Sequence, residues 1–263
     1  MNSIVIMAFC QVRAGSEGAK ESMMEFESPV RRHPPAFNVP RIIPWLIGLL
    51  AVIHLFRLYG PVSEETVIYY FAFIPARLGG TLPVGDSLLE QGARFWSLVT
   101  YSFLHADWMH WGFNSISMLA FGTPLARRLG AARFLLLSAL GSIGGALAYY
   151  MFHPSQIAVL IGASAAVSAQ VAGSIRLIFA RPALVGISGE RQIRPQPALT
   201  LSETFTSRMP LMFILVWLGL NYAFGATGLG MPAGEGLVAW EAHIGGFIAG
   251  LFLLGLLERK PSP

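Results

Sequence analysis

Residues 134–179 read FLLLSALGSIGGALAYYMFHPSQIAVLIGASAAVSAQVAGSIRLIF, and Arg176 is the one formal charge among them. A bilayer core is about 30 Å thick, and a helix rising about 1.5 Å per residue crosses it with about 20 apolar residues. The runs 134–152 and 157–179 are each long enough, and Pro154 and Ser155 make a tight link between them. Working outward, the same test finds four more spans, at 42–59, 109–126, 209–224 and 237–257. The gap 60–108 holds IYYFAFIPARL and FWSLVTYSFL, which are too short or too punctuated to span. Those runs are expected at the interface or re-entering it. The stretch 181–208 is polar, rich in Pro and Gly, and reads as a loop.

Composition agrees. Only 12% of the 263 residues are Asp, Glu, Lys or Arg, where a soluble domain carries about 25%. The hydrophobic share is 54% and mean hydropathy is +0.58. So few charges exclude an ordinary cytosolic enzyme and a disordered chain. The single cysteine, Cys10, excludes an intramolecular disulfide and a thiolate metal cluster. The formal charge of +4 is explained by loop position rather than by nucleic-acid binding. With the N-terminus inside, fifteen Lys and Arg fall on the inner side and only Arg57, Arg77 and Arg94 on the outer side. The positive-inside rule then places both termini in the cytoplasm. The expected fold is an all-α polytopic membrane protein: a cytoplasmic, disordered tail at 1–40, six transmembrane helices within 41–258, and a cytoplasmic tail at 259–263. The apolar run Ile4–Cys10 is short and has no basic residue ahead of it, unlike a signal peptide. Met23 and Met24 are alternative starts that an intact-mass measurement distinguishes.

Ionisable and polar groups at membrane depth are functional candidates. No Asp or Glu lies mid-span; Asp107 and Glu241 sit at outer ends. Arg57 and Arg176 lie near span ends, where snorkelling accounts for them. The remaining candidates are His110 and Asn114 on the second span, Ser164 and Ser168 on the fourth, and His243 on the sixth. All three spans run from outside to inside, so these groups share one shallow layer. Counted as helix, Ser164 and His243 lie about 10 Å below the outer surface. Two chemistries fit: a serine activated by imidazole, and metal binding or transport through His105, His110 and His243. The second usually relies on carboxylates, which the spans lack.

The motifs resemble those of the rhomboid intramembrane serine proteases. HADWMHWGFN carries H-x4-H-x3-N with His105, His110 and Asn114; GASA carries G-x-S with Gly162 and Ser164; AHIGGFIAG carries A-H-x2-G-x3-G with His243, Gly246 and Gly250. The resemblance covers the six-span core and implies a rhomboid-like helical bundle with Ser164 as nucleophile and His243 as base. It also implies an oxyanion site from the Ser164 N–H, His110 and Asn114, with His105 fixing the loop. Close packing of the fourth and sixth helices is expected through Gly246 and Gly250 against Ala165, Ala169 and Gly173, with Gly162 counted among the packing glycines. Three positions depart from the family pattern. Ala165 stands where Gly is frequent. Ser168 stands where a Tyr often stacks on the histidine, so His243 needs another support. Ser97 replaces the Arg that follows Trp96, with Arg77 or Arg94 as substitutes.

The expected function is an endopeptidase of bacterial inner-membrane type, cutting the transmembrane segments of other proteins near the outer face. It needs no cofactor and no metal. Its partners are membrane-protein substrates and the lipid bilayer, not nucleic acid; the oligomeric state stays open. The fifth span and the glycine-rich stretch 225–236 are expected to gate and cap the site. The rivals are an inactive rhomboid-like binding or quality-control factor and, further off, a small-solute transporter.

Overall fold

The computed structural model describes residues 39–180, 183–185, 192–194, 197–227 and 239–258. The tails at 1–38 and 259–263, and positions 228–236 of the expected cap, lie outside the described residues. Helix α1 (Ile42–Tyr59) is apolar apart from His54 and Arg57 and closes at Gly60, ahead of Pro61. The first loop folds into α2 (Glu64–Phe71), α3 (Pro75–Leu78) and α4 (Leu88–Thr100). Ser63 and Ser87 cap α2 and α4 by accepting backbone N–H groups. The longest of the three has 13 residues, too few to cross a bilayer.

Helix α5 (Trp108–Ser117) runs through a π-helical turn, Met118–Gly122, into α6 (Thr123–Leu129). Gly130, at φ +77°, separates α6 from α7 (Ala131–Phe152); a left-handed backbone there favours glycine. Helix α8 (Ser164–Ile178) follows an extended segment. An antiparallel hairpin, β1 (Ala183–Val185) and β2 (Gln192–Arg194), sets Leu184 opposite Ile193. Helix α9 (Leu201–Thr206) begins with a capping box of Thr200 and Glu203. Helices α10 (Arg208–Thr227) and α11 (Trp240–Leu257) complete the described bundle. Among the described residues, four helices are long and apolar enough to cross a membrane: α1, α7, α10 and α11.

Two expectations are corrected. The stretch 181–208 holds β1, β2 and α9 rather than loop alone. The run 157–179 is helical only from Ser164. Before that, Leu160 exchanges both backbone hydrogen bonds with Phe73, at 2.9 and 3.1 Å, and Gly162 N–H donates to the Tyr101 carbonyl at 3.0 Å. These residues satisfy their backbone groups on the first loop, so no helix forms there. A depth for Ser164 counted by helical rise therefore does not apply.

Helix α8 is the centre of the bundle, and its residues Ala165–Arg176 are all buried. Its polar side chains bond inside the protein: Gln170 Nε2 donates to Ser138 Oγ at 3.0 Å and Ser174 Oγ to the Phe121 carbonyl at 2.5 Å. Helices α7 and α11 flank it through glycine. A Cβ on Gly246 or Gly250 would strike the carbonyl oxygen of Ala165 or Ala169, and one on Gly145 would lie 2.7 Å from the Ala242 carbonyl oxygen. Lipid provides little hydrophobic drive between helices, so such close backbone approach supplies the dispersion contact that holds them. Gly173, expected in the same stripe, instead faces Leu125 of α6, 3.0 Å from where its Cβ would stand.

Arg57 and Arg176 do not snorkel. Both are buried. Arg57 pairs with Glu64 and donates to the carbonyls of His105 and Ala106 at 2.7 and 2.8 Å. Arg176 donates to the carbonyls of Leu199, at 2.7 Å, and Leu251. Each guanidinium ties separate elements together through its fork of donors.

Candidate active site

Ser164 is the first residue of α8 and is half-buried. The first N–H groups of a helix have no acceptor within it, and the helix dipole makes that end electropositive. The Ser164 hydroxyl therefore stands beside backbone donors suited to an anion. Gly162, two residues earlier, has φ +122° and lies outside any helix. It is not a helix-packing glycine: a Cβ there would sit 2.7 Å from His110 Nε2 and 3.7 Å from Ser164 Oγ. Its missing side chain leaves the space that both groups face.

Asp107 caps α5 by accepting the His110 N–H at 2.8 Å. The His110 ring is oriented by the Ala106 N–H, which donates to Nδ1 at 3.3 Å. With Nδ1 accepting, a neutral His110 carries its proton on Nε2, the atom turned toward Gly162. Asn114, one turn on and buried, donates from Nδ2 to the His110 carbonyl at 2.9 Å. One of its two amide hydrogens is thus engaged within α5.

His105 is fully buried, its ring 5.1 Å from that of His110 in an edge-on arrangement. Arg57 holds its carbonyl from α1. Burial first, then the neighbouring His110 and His54, push His105 down to about 3. A histidine neutral when folded and titrating near 6.5 when unfolded stabilises the fold fully above that pH and loses the contribution as pH falls toward 3. Thermal melts in detergent at pH 7.5 and 5 are expected to show an acid-induced drop in Tm that His105→Leu reduces; equal drops in both proteins refute this. His54 of α1, another buried histidine, packs its ring edge-on at 4.6 Å from Trp108.

His243 lies in the first turn of α11, half-buried and within electrostatic reach of His110. Gly246, three residues on, packs on Ala165, the residue after Ser164. Packing of α8 on α11 thus brings the two residues to one end of the bundle. Among the described residues no hydrogen bond joins the Ser164 hydroxyl to His243. The His243 ring bonds instead from Nδ1 to Asn221 Oδ1 of α10 at 2.7 Å. Asn221 was not among the sequence candidates. Its signal was available: it is a lone amide inside the apolar run MFILVWLGLNYAF. Ser168, the other serine considered, is buried and donates to the Ser164 carbonyl at 2.7 Å.

The first loop is anchored without an arginine at Ser97. Trp96 Nε1 donates to the Tyr70 carbonyl at 2.7 Å and Arg94 Nε to the Arg77 carbonyl at 3.1 Å. Arg77, fully buried, donates to the Tyr69 carbonyl and lies 4.9 Å from the centre of the Tyr69 ring.

A serine, two histidines and an asparagine thus lie toward one end of an apolar helical bundle. The rhomboid domain model matches residues 92–260, and the chain belongs to the rhomboid family of intramembrane proteases. YdcA of Bacillus subtilis (strain 168) is 32% identical over 132 residues, which cover 49% of this chain and 66% of that protein. The rhomboid protease GlpG of Serratia proteamaculans (strain 568) is 24% identical over 211 residues, 80% of this chain and 61% of that protein. RHOMBOID-like protein 5 of Arabidopsis thaliana is 26% identical over 175 residues, 66% and 48% respectively. The chain thus spans about half to two thirds of these relatives' lengths.

Proposed function

We propose that this protein is a serine endopeptidase that cuts transmembrane segments near the outer membrane face, with Ser164 as nucleophile and His243 as general base. The observation that carries the reading is the convergence of Ser164 Oγ and His110 Nε2 on the side-chain-free space at Gly162, with α11, which carries His243, packed on α8 where Gly246 meets Ala165. In the proposed step Ser164 Oγ attacks the scissile carbonyl. His243 Nε2 takes the hydroxyl proton and later gives it to the leaving amine. The tetrahedral oxyanion accepts hydrogen bonds from the Ser164 N–H, from His110 Nε2–H and from the second amide hydrogen of Asn114. Such donors are typically worth about 3 kcal/mol each. The open Ser164–His243 contact is compatible with this, because catalytic hydrogen bonds are often long in a free enzyme and tighten with substrate.

The membrane topology proposed with it has six spans and both termini in the cytoplasm. The run α5–α6 has 22 residues, 108–129, about 33 Å of helix at 1.5 Å per residue. Helix α8, with 15 residues, rises only about 22 Å, and the extended segment before it covers the remaining depth. Fifteen basic residues on one side support the orientation. A peptide bond in a substrate helix is shielded, so substrates with Gly or Ser near the top of a span are favoured because they unwind at low cost. The test is labelling by a fluorophosphonate, which reacts with an activated serine without a known substrate: wild type labels and Ser164→Ala does not.

A further inference from the structure

Asn221 is a polar side chain in the middle of an apolar helix, and no step so far uses it. Its Nδ2 donates to the Trp217 carbonyl at 2.8 Å, one turn back in α10. That bond fixes the amide, so Oδ1 is the atom turned toward α11, where it meets His243 Nδ1 at 2.7 Å. An amide oxygen only accepts, so Nδ1 carries the ring proton. The lone pair then lies on Nε2. One turn along, Trp217 stacks on Phe247 at 4.4 Å. Residues 217 and 221 of α10 thus meet 247 and 243 of α11 in antiparallel register.

We propose that Asn221 is the positioning residue of the base: it holds His243 in the Nδ1–H tautomer and aims Nε2 for proton transfer from Ser164. This rests on the serine-protease reading above. It also supplies the support that a tyrosine at Ser168 would otherwise give. A Ser–His pair with a third group that sets the tautomer follows the same logic as the Cys–His–Asn proteases. The orienting group arrives from α10, the least buried of the four long apolar helices, so the base is aligned only while α10 is seated on α11.

Among the described residues, the titratable groups around this end of α11 are His110 from α5, the Glu241–His153 pair at 3.0 Å with Tyr149 beside it, and Tyr222 of α10, whose ring meets Trp240. None is altered by changing Asn221. Two measurements on the full-length protein in detergent test the proposal. The first is the 15N spectrum of His243. Wild type shows the Nδ1–H tautomer, and Asn221→Leu loses it; an unchanged Nδ1–H signal in that variant overturns the proposal whether or not the protein is a protease. The second is cleavage of a transmembrane substrate against pH. Asn221→Leu lowers kcat about 10- to 100-fold with KM nearly unchanged, short of the 10²–10⁴ that a whole general base supplies. Asn221→Asp restores much of the rate but moves the acid limb to higher pH, because a carboxylate favours the imidazolium, which cannot act as base. A wild-type rate and profile in both variants overturns the positioning role while leaving Ser164 labelling, and so the protease reading, intact. Failure of wild type to label at all overturns the protease reading instead.

Discussion

Ser164→Ala is expected to reduce cleavage of a transmembrane substrate by at least about 10³-fold while leaving the fold intact. The magnitude follows from the loss of the proposed nucleophile; in serine proteases, removing the nucleophile or the base costs most of the catalysis the whole set supplies. The fold survives because the Ser164 side chain makes no hydrogen bond among the described residues, and its carbonyl, which accepts from Ser168, is untouched. His243→Ala is expected to fall to a similar level. The double variant should be no slower than either single one, since the two groups act as a unit. Ser168→Ala should keep fluorophosphonate labelling, because that hydroxyl is committed to the Ser164 carbonyl at 2.7 Å and is buried. Cleavage retained by Ser164→Ala refutes the assignment. Wild-type protein that binds membrane substrates but neither labels nor cuts them would be the inactive binding factor. Solute flux into liposomes that survives loss of both residues would indicate a transporter.

What the sequence revealed depends on the range of the interaction responsible. Helix α1 occupies the expected residues 42–59, and α7, α10 and α11 end within three residues of expectation, because length and apolar composition alone decide whether a segment can cross lipid. Helix α8 starts at Ser164, seven residues after the apolar run begins. The backbone pairing of Leu160 with Phe73 joins positions 87 residues apart, and no local propensity reports it. The burial of Arg57 and Arg176 is invisible in the sequence for a related reason. A basic residue near a span end is usually free to reach water, and only the carbonyls of His105, Leu199 and Leu251 show that these two are held inside. The candidate site was legible as residue types on three helices. Asn221 stands out in the sequence only as an amide isolated in an apolar run, because its contact with α11 spans 22 residues of chain.

Gly246→Ala tests whether the pairing of α8 and α11 assembles the site. Alanine ordinarily stabilises a helix by about 1 kcal/mol over glycine. At this position the new Cβ would strike the Ala165 carbonyl oxygen, a backbone atom that no side-chain rotation can move aside. Overpacking of this kind costs about 1–3 kcal/mol, occasionally more, so it outweighs the propensity gain and α11 must shift away from α8. Ser164 directly precedes Ala165, and His243 lies one turn before Gly246, so the shift separates the proposed catalytic pair itself. The expected result is a lower Tm together with loss of labelling approaching that of Ser164→Ala. Gly48→Ala, on α1 with nothing within 4 Å of its would-be Cβ, carries the propensity gain alone and should leave labelling unchanged with Tm equal or higher. Gly250→Ala meets the Ala169 carbonyl one turn further from the pair and should lower Tm comparably with a smaller loss of labelling. If Gly246→Ala melts and labels like wild type, the close approach of these helices does not position the proposed dyad.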